Sequence, residues 1–165
     1  MKAVANSSVF IALSTIGQLE LLFHRFPEGI LIPQAVWREV VETGRRQPGA
    51  AEVASASWIT VCAVKDERLV SLLRIELDEG EAEAIALGHE QQAEVVLLDE
   101  KDARRVARRL GLAVLGTVGV LIWAKRAGLV TSLRKQLNAL QTQGKFRLSP
   151  SVCEEALHVT GEVES

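Results

Sequence analysis

Short apolar runs alternate along the chain with longer segments in which apolar residues recur every three or four positions. The short runs are typical of buried strands, and the longer segments are typical of helices with one apolar face. Strands are predicted at residues 2–5, 29–32, 58–64, 94–98 and 112–115. Helices are predicted from Ser7 and Ser8 to Gly17, onward from Leu19, and at 33–44, 50–56, 67–75, 80–91, 100–110, 117–126, 132–140 and 150–159.

Strands that are separated by single helices indicate a parallel sheet with helices on both faces. The predicted fold class is therefore α/β, a three-layer α/β/α arrangement with a mostly parallel central sheet. No repeat, linker or low-complexity tract divides the 165 residues. We expect a single domain over 1–165, with the last helix, at about 150–160, packed on it.

The composition narrows the class of protein. Hydrophobic residues make up 48% of the chain and charged residues 24%, which is the balance of a soluble globular protein. The longest uncharged apolar stretch, 110–124, is 15 residues long and holds three glycines, too short to cross a bilayer. Cys62 and Cys153 lack the spacing of a zinc or redox site. We expect a cytoplasmic protein with no membrane contact.

Charges of opposite sign are segregated along the chain, although the net charge is only −2. Residues 66–100 contain 11 acids and two arginines, whereas residues 103–153 contain ten Lys/Arg and no acid. A basic half of this kind predicts a polyanionic partner such as nucleic acid, and unevenly solvated helix faces explain it as well. The candidate contacts lie on one basic helix: Arg104, Arg105 and Arg108.

Polar residues stand where the carboxyl ends of parallel strands form a crevice. Asn6 follows the first strand, and Glu39 lies on the helix after the second. Glu81 opens the helix before the fourth strand, and Asp99 ends that strand. Within the next helical turn come Glu100 and Asp102.

Carboxylates gathered at one place repel one another unless a proton or a cation lies between them. Oxygen ligands without histidine or cysteine favour Mg²⁺ or Mn²⁺. We therefore predict a metal site made by Asn6, Glu39, Glu81, Asp99 and Asp102, which beside a basic surface suits phosphodiester hydrolysis. Structural roles explain the presence of these acids as well: solvent-exposed positions on helices, an interaction with a helix dipole, or an N-cap at Asp99.

Two hydroxyl residues, Ser8 and Thr117, are supporting candidates at the same edge of the sheet. Each is placed to hydrogen-bond a metal ligand, and each is equally well placed to cap a helix.

Four segments, in order, resemble the PIN-domain family, in particular VapC-like toxins of type II toxin–antitoxin pairs. VANSSVFIALSTIGQLELL (4–22) resembles the family's opening strand and helix, and ILIPQAVWREV (30–40) its strand–Pro–helix with the second acid, here Glu39. LDEGEAEAIALGHE (77–90) resembles the segment with the third acid, Glu81 or, in the other register, Glu83. The segment from AEVVLLDEKDARR (93–105) to residue 130 resembles the part with the fourth acid, Asp99.

The resemblance implies a Mg²⁺- or Mn²⁺-dependent endoribonuclease that cuts single-stranded RNA or tRNA by in-line attack of a water. It implies that Asn6, Glu39, Glu81 and Asp99 are the catalytic set, with Glu83 and Glu100 among the supporting residues. It also implies a small antitoxin protein as partner. A homodimer is also expected. A homodimer or antitoxin surface is one explanation of the apolar residues at the start of the second helix, and core packing is the other: Leu19, Leu21, Leu22 and Phe23.

One position departs from the family pattern, because Asn6 stands where the family has its first acid. An amide oxygen can bind a cation but brings no negative charge, so Mg²⁺ binding is expected to be weaker. The alternative function is a non-catalytic RNA- or protein-binding module on the same fold. A nucleotide-binding α/β protein is disfavoured, because no glycine-rich phosphate loop follows the first strand.

Overall fold

The computed structural model describes residues 2–144 and 146–162, which form five strands and ten helices. The strands are β1 (Ala3–Ala5), β2 (Ile30–Ile32), β3 (Ile59–Val61), β4 (Val95–Leu97) and β5 (Val114–Leu115). The first five helices are α1 (Ser7–Thr15), α2 (Glu20–Arg25), α3 (Gln34–Trp37), α4 (Ala50–Ser55) and α5 (Glu67–Leu73). The remaining helices are α6 (Glu79–Glu90), α7 (Lys101–Arg109), α8 (Thr117–Arg126), α9 (Leu133–Thr142) and α10 (Pro150–Val159).

All five strands run parallel, in the order β3-β2-β1-β4-β5. β1 lies at the centre, where Val4 is level with Leu31 of β2 on one side and Val96 of β4 on the other. The N–H of Asn6 continues the pairing by donating to the carbonyl of Leu97 at 3.1 Å. The carboxyl ends of β1 and β4 therefore lie side by side.

Alternate strand residues enter two hydrophobic clusters, one on each face of the sheet, as the period of a β-strand requires. Ala3 and Ala5 join the cluster that contains side chains of α1, α2, α8, α9 and α10. Val4, Val96 and Leu98 join the cluster that contains side chains of α5, α6 and α7. This is the predicted three-layer α/β/α fold.

The third helix differs from its prediction in its backbone winding. The segment Gln34–Trp37 is α-helical, but Arg38–Thr43 continues as a π-helix, in which the N–H of Gly44 donates to the carbonyl of Glu39 at 3.0 Å. A hydrogen bond that reaches back five residues widens the turn and changes the direction of its side chains. The apolar spacing of this segment predicts a regular helix and does not reveal the extra residue.

The apolar residues at the start of α2 belong to the core. Leu19, Leu21 and Leu22 are buried, so core packing explains them and a homodimer or antitoxin surface does not. Phe23 is 38% exposed and packs edge-on against Trp58, with the ring centroids 5.7 Å apart.

The last helix, α10, packs against α9. Among the helices of residues 2–144 and 146–162, none combines the length and the apolar character that a membrane span needs.

Candidate functional site

Asn6 lies directly after β1, at the middle of the carboxyl edge of the sheet. The residue is 6% exposed, and within the described part of the chain its Oδ1 is buried with no hydrogen-bond partner. It occupies the N-cap position of α1, yet its side chain makes no capping bond. Since buried polar atoms are nearly always paired, an unpaired amide oxygen at a sheet edge points to a ligand outside the chain.

The carboxylate of Glu39 approaches Asn6 above a glycine. A methyl group on Gly80 would lie 2.9 Å from Glu39 Oε2 and 3.1 Å from Asn6 Oδ1, so the two oxygens converge over this Cα. The π-helical turn presents Glu39, and the hydroxyl of Ser7 donates a short hydrogen bond to its Oε2. Glycine at position 80, in the first turn of α6, leaves the space between the oxygens open.

Glu81 is the next residue of α6, and its side chain is held by a reciprocal cap. The N–H of Glu81 donates to Asp78 Oδ1 at 2.8 Å, and the N–H of Asp78 donates to Glu81 Oε1 at 3.2 Å. Burial raises the pKa of the Glu81 carboxyl to about 7, against the lowering effect of the Asp78 N–H. The negative charges of Asp78 and Glu100 raise this pKa further.

Asp99 is fixed by the start of α8. The N–H of Thr117 donates to Asp99 Oδ1 at 2.7 Å, and the Thr117 hydroxyl donates to Oδ2 at 2.8 Å. Asp99 therefore does not cap α7, whose N-cap is Glu100, and Thr117 is the first residue of α8 and not its cap. A carboxylate at a helix N-terminus is stabilised by the helix dipole, which explains this orientation.

One arginine of α7 lies beside Asp99. Arg104 Nη1 is 3.7 Å from the position of a methyl group on Gly116, and Asp99 Oδ1 is 3.0 Å from the same point. The Nε of Arg104 is buried with no partner among the described residues. The other two predicted RNA contacts, Arg105 and Arg108, are exposed on the same helix.

Asp102 and Glu83 have partners other than Asn6 and Glu39. Asp102, whose side chain is 67% exposed, forms an ion pair with Arg105 at 3.2 Å on the surface of α7. Glu83 Oε1 accepts the N–H of Ala35 at 3.2 Å and so caps the start of α3. Both side chains have a structural use, and neither lies against Asn6 Oδ1 in the way that Glu39 does.

The two serines after Asn6 divide their tasks in an unexpected way. Ser8 is the serine predicted to support a metal ligand, but the hydroxyl bonded to Glu39 is that of Ser7. The Ser8 hydroxyl is buried without a partner in the described residues, and it lines a groove together with Asp99 and Glu100. The pattern Asn-Ser-Ser at a strand end is the signal that points to both hydroxyls, but it does not tell them apart.

Oxygen atoms at this edge fit a hard divalent cation, and two of them converge on one point. Asn6 Oδ1 lacks a partner and converges with Glu39 Oε2, and the further candidates Glu81 and Asp99 also supply oxygen. Oxygen ligands suit Mg²⁺ and Mn²⁺. No three His, Cys, Asp or Glu side chains among residues 2–144 and 146–162 are placed to hold a metal ion together.

Comparisons with known proteins agree with this architecture. The family model DUF3368, described as a PIN domain, matches residues 2–162. A solved PilT N-terminus domain protein from the hyperthermophilic archaeon Sulfolobus solfataricus P2 has a similar fold, with a TM-score of 0.56 and 20% sequence identity. The similarity covers 75% of this chain and 93% of the archaeal one. No curated protein matches the sequence.

Proposed function

Since this chain belongs to the PIN-domain family, we propose that it is an endoribonuclease that hydrolyses single-stranded RNA with a bound Mg²⁺ or Mn²⁺. The observation that carries the proposal is the pair of oxygens that converges over Gly80, one of which is buried and unpaired. The basic helix α7, which begins at the same edge of the sheet, supplies cations for an RNA backbone.

Asn6 and Glu39 would hold the cation through their converging oxygens, and Glu81 and Asp99 are further predicted ligands. When bound, the cation would polarise the phosphate and lower the pKa of an attacking water. Ser7 and Thr117 act as positioning residues, because their hydroxyls hold the carboxylates of Glu39 and Asp99. Asp102 is the weakest of the predicted ligands, since it is paired with Arg105 in solvent.

Two further side chains, those of Glu81 and Arg104, can act on a proton and on a phosphate. The Glu81 carboxyl, with a pKa of about 7, can hold or release a proton at neutral pH. The guanidinium of Arg104 lies beside Asp99 and keeps a buried donor free for a phosphate oxygen.

Asn6 provides the test of the proposal. Replacing the neutral amide by a carboxylate (Asn6→Asp) adds a negative charge at the buried oxygen and is expected to tighten metal binding. We expect Mn²⁺-dependent cleavage of a labelled single-stranded RNA to rise tenfold or more, measured as an initial rate.

The matched control for this experiment is Asn138→Asp, which adds the same charge on the exposed face of α9 and is expected to leave the rate unchanged. Equal cleavage rates for Asn6→Asp and the parent chain would remove Asn6 from the site. No cleavage by either form, with any divalent ion, would contradict the proposed activity.

A non-catalytic RNA- or protein-binding module is the second candidate, and it is favoured by Asn6 itself together with the absence of a three-acid cluster in the described residues. A ligand that binds only the folded state raises stability by mass action. A thermal shift with millimolar Mn²⁺ therefore supports the enzyme, and no shift in either Asn6 form supports the binding module.

We propose further that the chain is the toxin of a toxin–antitoxin pair. The support is the ordered resemblance of its four segments to VapC-like toxins. An antitoxin that carries a basic side chain would complement the acids at the carboxyl edge of the sheet. Growth arrest on expression of the Asn6→Asp form, relieved by the product of a short neighbouring reading frame, is the expected result.

A further inference from the structure

A groove lies beside Asp99, between α1 and the segment that follows α9. Its volume is about 780 Å³, within the range of small-molecule sites. It is lined by Ser8, Ile11, Ala12, Asp99, Glu100, Gly144, Phe146 and Arg147. Because Asp99 belongs both to the groove and to the candidate metal site, a ligand in the groove would adjoin the reacting phosphate.

Both apolar and polar side chains line the groove. Ile11 is 37% exposed and Phe146 is half-buried, so both offer apolar surface to a ligand. Ser8 contributes a buried hydroxyl that has no partner in the described part of the chain. A flat ligand with a hydrogen-bonding edge satisfies both kinds of side chain, because its faces contact the apolar residues while its edge meets the hydroxyl.

The charges of the groove narrow the ligand further. Asp99 and Glu100 would repel a small free anion that entered it. Arg147 is exposed at the groove and forms no ion pair with any residue that the structure describes. A ligand that fits these charges has a neutral part in the groove and a phosphate within reach of Arg147. A nucleotide within an RNA strand has both, because its base is neutral and its phosphate is charged.

We propose that this groove binds the base of an RNA nucleotide next to the cleaved phosphodiester, with Phe146 as its stacking surface and Arg147 as a phosphate contact. The inference rests on the proposed ribonuclease function. The chain has no tyrosine and only four phenylalanines, and Phe146 is one that lines a groove. Stacking on an aromatic ring tolerates any base, so the groove would add affinity without strict sequence preference.

The experiment measures RNA binding in EDTA, where no cleavage occurs, by fluorescence anisotropy of a labelled 12-nucleotide RNA. A second set of oligonucleotides carries one abasic position, moved along the strand. For the parent chain we expect one or two abasic positions to weaken binding about tenfold, as the loss of a single base–aromatic stack would.

Two variants tie this loss to the groove. Phe146→Leu keeps an apolar side chain and so protects the fold, and we expect it to weaken binding about fivefold and to abolish the penalty of the abasic position. Arg147→Gln is expected to weaken binding of intact and abasic RNA equally. Ile75→Ala, which truncates a side chain that is 78% exposed after α5, and Arg46→Gln, at an exposed position in the loop before α4, are the matched controls.

Each other outcome overturns the proposal. An unchanged abasic penalty in Phe146→Leu means that the base lies elsewhere. Binding of an oligolysine peptide that depends on Phe146, with RNA binding independent of it, assigns the groove to a basic protein segment. Hydrolysis of bis(4-nitrophenyl) phosphate by Asn6→Asp tests the nuclease function separately, because this substrate is too small to need the groove.

Discussion

The buried acid Glu81 makes the stability of this protein depend on pH. A carboxyl whose pKa is raised from 4.5 to about 7 binds its proton more tightly in the folded chain than in the unfolded one. The stabilising effect is therefore complete below pH 4.5 and is lost as the pH rises through 7. The shift corresponds to about 3 kcal/mol at most, at about 1.4 kcal/mol for each pH unit.

We expect the free energy of unfolding in EDTA to fall between pH 5 and pH 8, and Glu81→Gln to remove most of that decrease. Gln stays neutral throughout this range, so it causes no loss on deprotonation. Urea denaturation at several pH values measures the effect. Glu76→Gln, at an exposed position five residues before Glu81, is the control, and an unchanged pH slope in Glu81→Gln would contradict this prediction.

At single positions, the sequence predicts which residues stand at the strand ends but not their hydrogen bonds. Asn6 and Asp99 are predicted correctly to follow β1 and β4, because apolar runs mark those strands. The bonds from Ser7 to Glu39 and from Thr117 to Asp99 span 32 and 18 residues, and no local pattern encodes a partner at that distance. Their roles in catalysis stay a prediction.

At the scale of elements, Glu162, the last residue that the structure describes, caps the start of α9. Glu162 accepts the N–H of Leu133 at 2.8 Å and the N–H of Arg134 at 3.1 Å, and it pairs with Lys125 at 3.4 Å. Burial alone would raise the pKa of Glu162, but these N–H donors and the ammonium together lower it below its usual value. The first turn of α9 is thus capped by a residue beyond α10.

Glu162→Ala is expected to destabilise the protein by about 1 to 2 kcal/mol, the usual value of a lost helix cap with its charge. The lowered pKa means that this contribution exists above the unfolded pKa of 4.5 and disappears as the pH falls through the folded value. The difference between the two chains, measured by chemical denaturation, should therefore shrink in acid. Glu155→Ala, exposed on α10, is the control, and an equal loss there would contradict a specific cap.

The helices were predictable wherever a cap or a breaker marks their ends. α10 begins at Pro150 and ends at Val159 as predicted, and its N-cap Ser149 accepts the N–H of Val152. The π-helical turn was not predictable, because Val36 and Val40 are buried at a spacing that an α-helix also provides. The direction of Glu39 depends on that turn, and so does the convergence with Asn6.

At the scale of the whole molecule, the uneven charge becomes a difference between neighbouring surfaces. The acids of residues 66–100 lie on α5 and α6, in the connection between these helices and on both sides of β4, while α7, which follows, carries exposed arginines. An RNA strand bound by those arginines, as proposed, would displace counterions, so its affinity would fall as salt increases.

The double variant Arg104→Ala/Arg108→Ala is expected to weaken binding of single-stranded RNA and to reduce the slope of log K against log salt by about 1 to 1.5. Binding of a labelled RNA in EDTA between about 50 and 200 mM salt gives the slope. Arg45→Ala/Arg46→Ala removes two exposed arginines from a loop and serves as the control. An unaltered slope in the α7 variant would count against phosphate contacts there.

The overall fold could be predicted because its information is periodic and local. Apolar runs of strand length, separated by single helices, leave few arrangements other than a parallel sheet between helix layers. The arrangement of the acids is not periodic, so their partners could not be predicted in the same way. Asp102, for example, lies in the first turn of α7, where it is exposed and pairs with Arg105.

The central position of β1 also determines when the sheet can form during synthesis of the chain. β1 needs β4, whose residues are made about ninety positions later, and the N–H of Asn6 finds its acceptor only when Leu97 has been made. The two groups that donate hydrogen bonds to Asp99 belong to Thr117, which is synthesised later still. A fragment that ends before Leu97 therefore lacks the acceptor of the Asn6 N–H, and one that ends before Thr117 lacks the donors that hold Asp99. The candidate site at this edge of the sheet can form only after both segments have been synthesised.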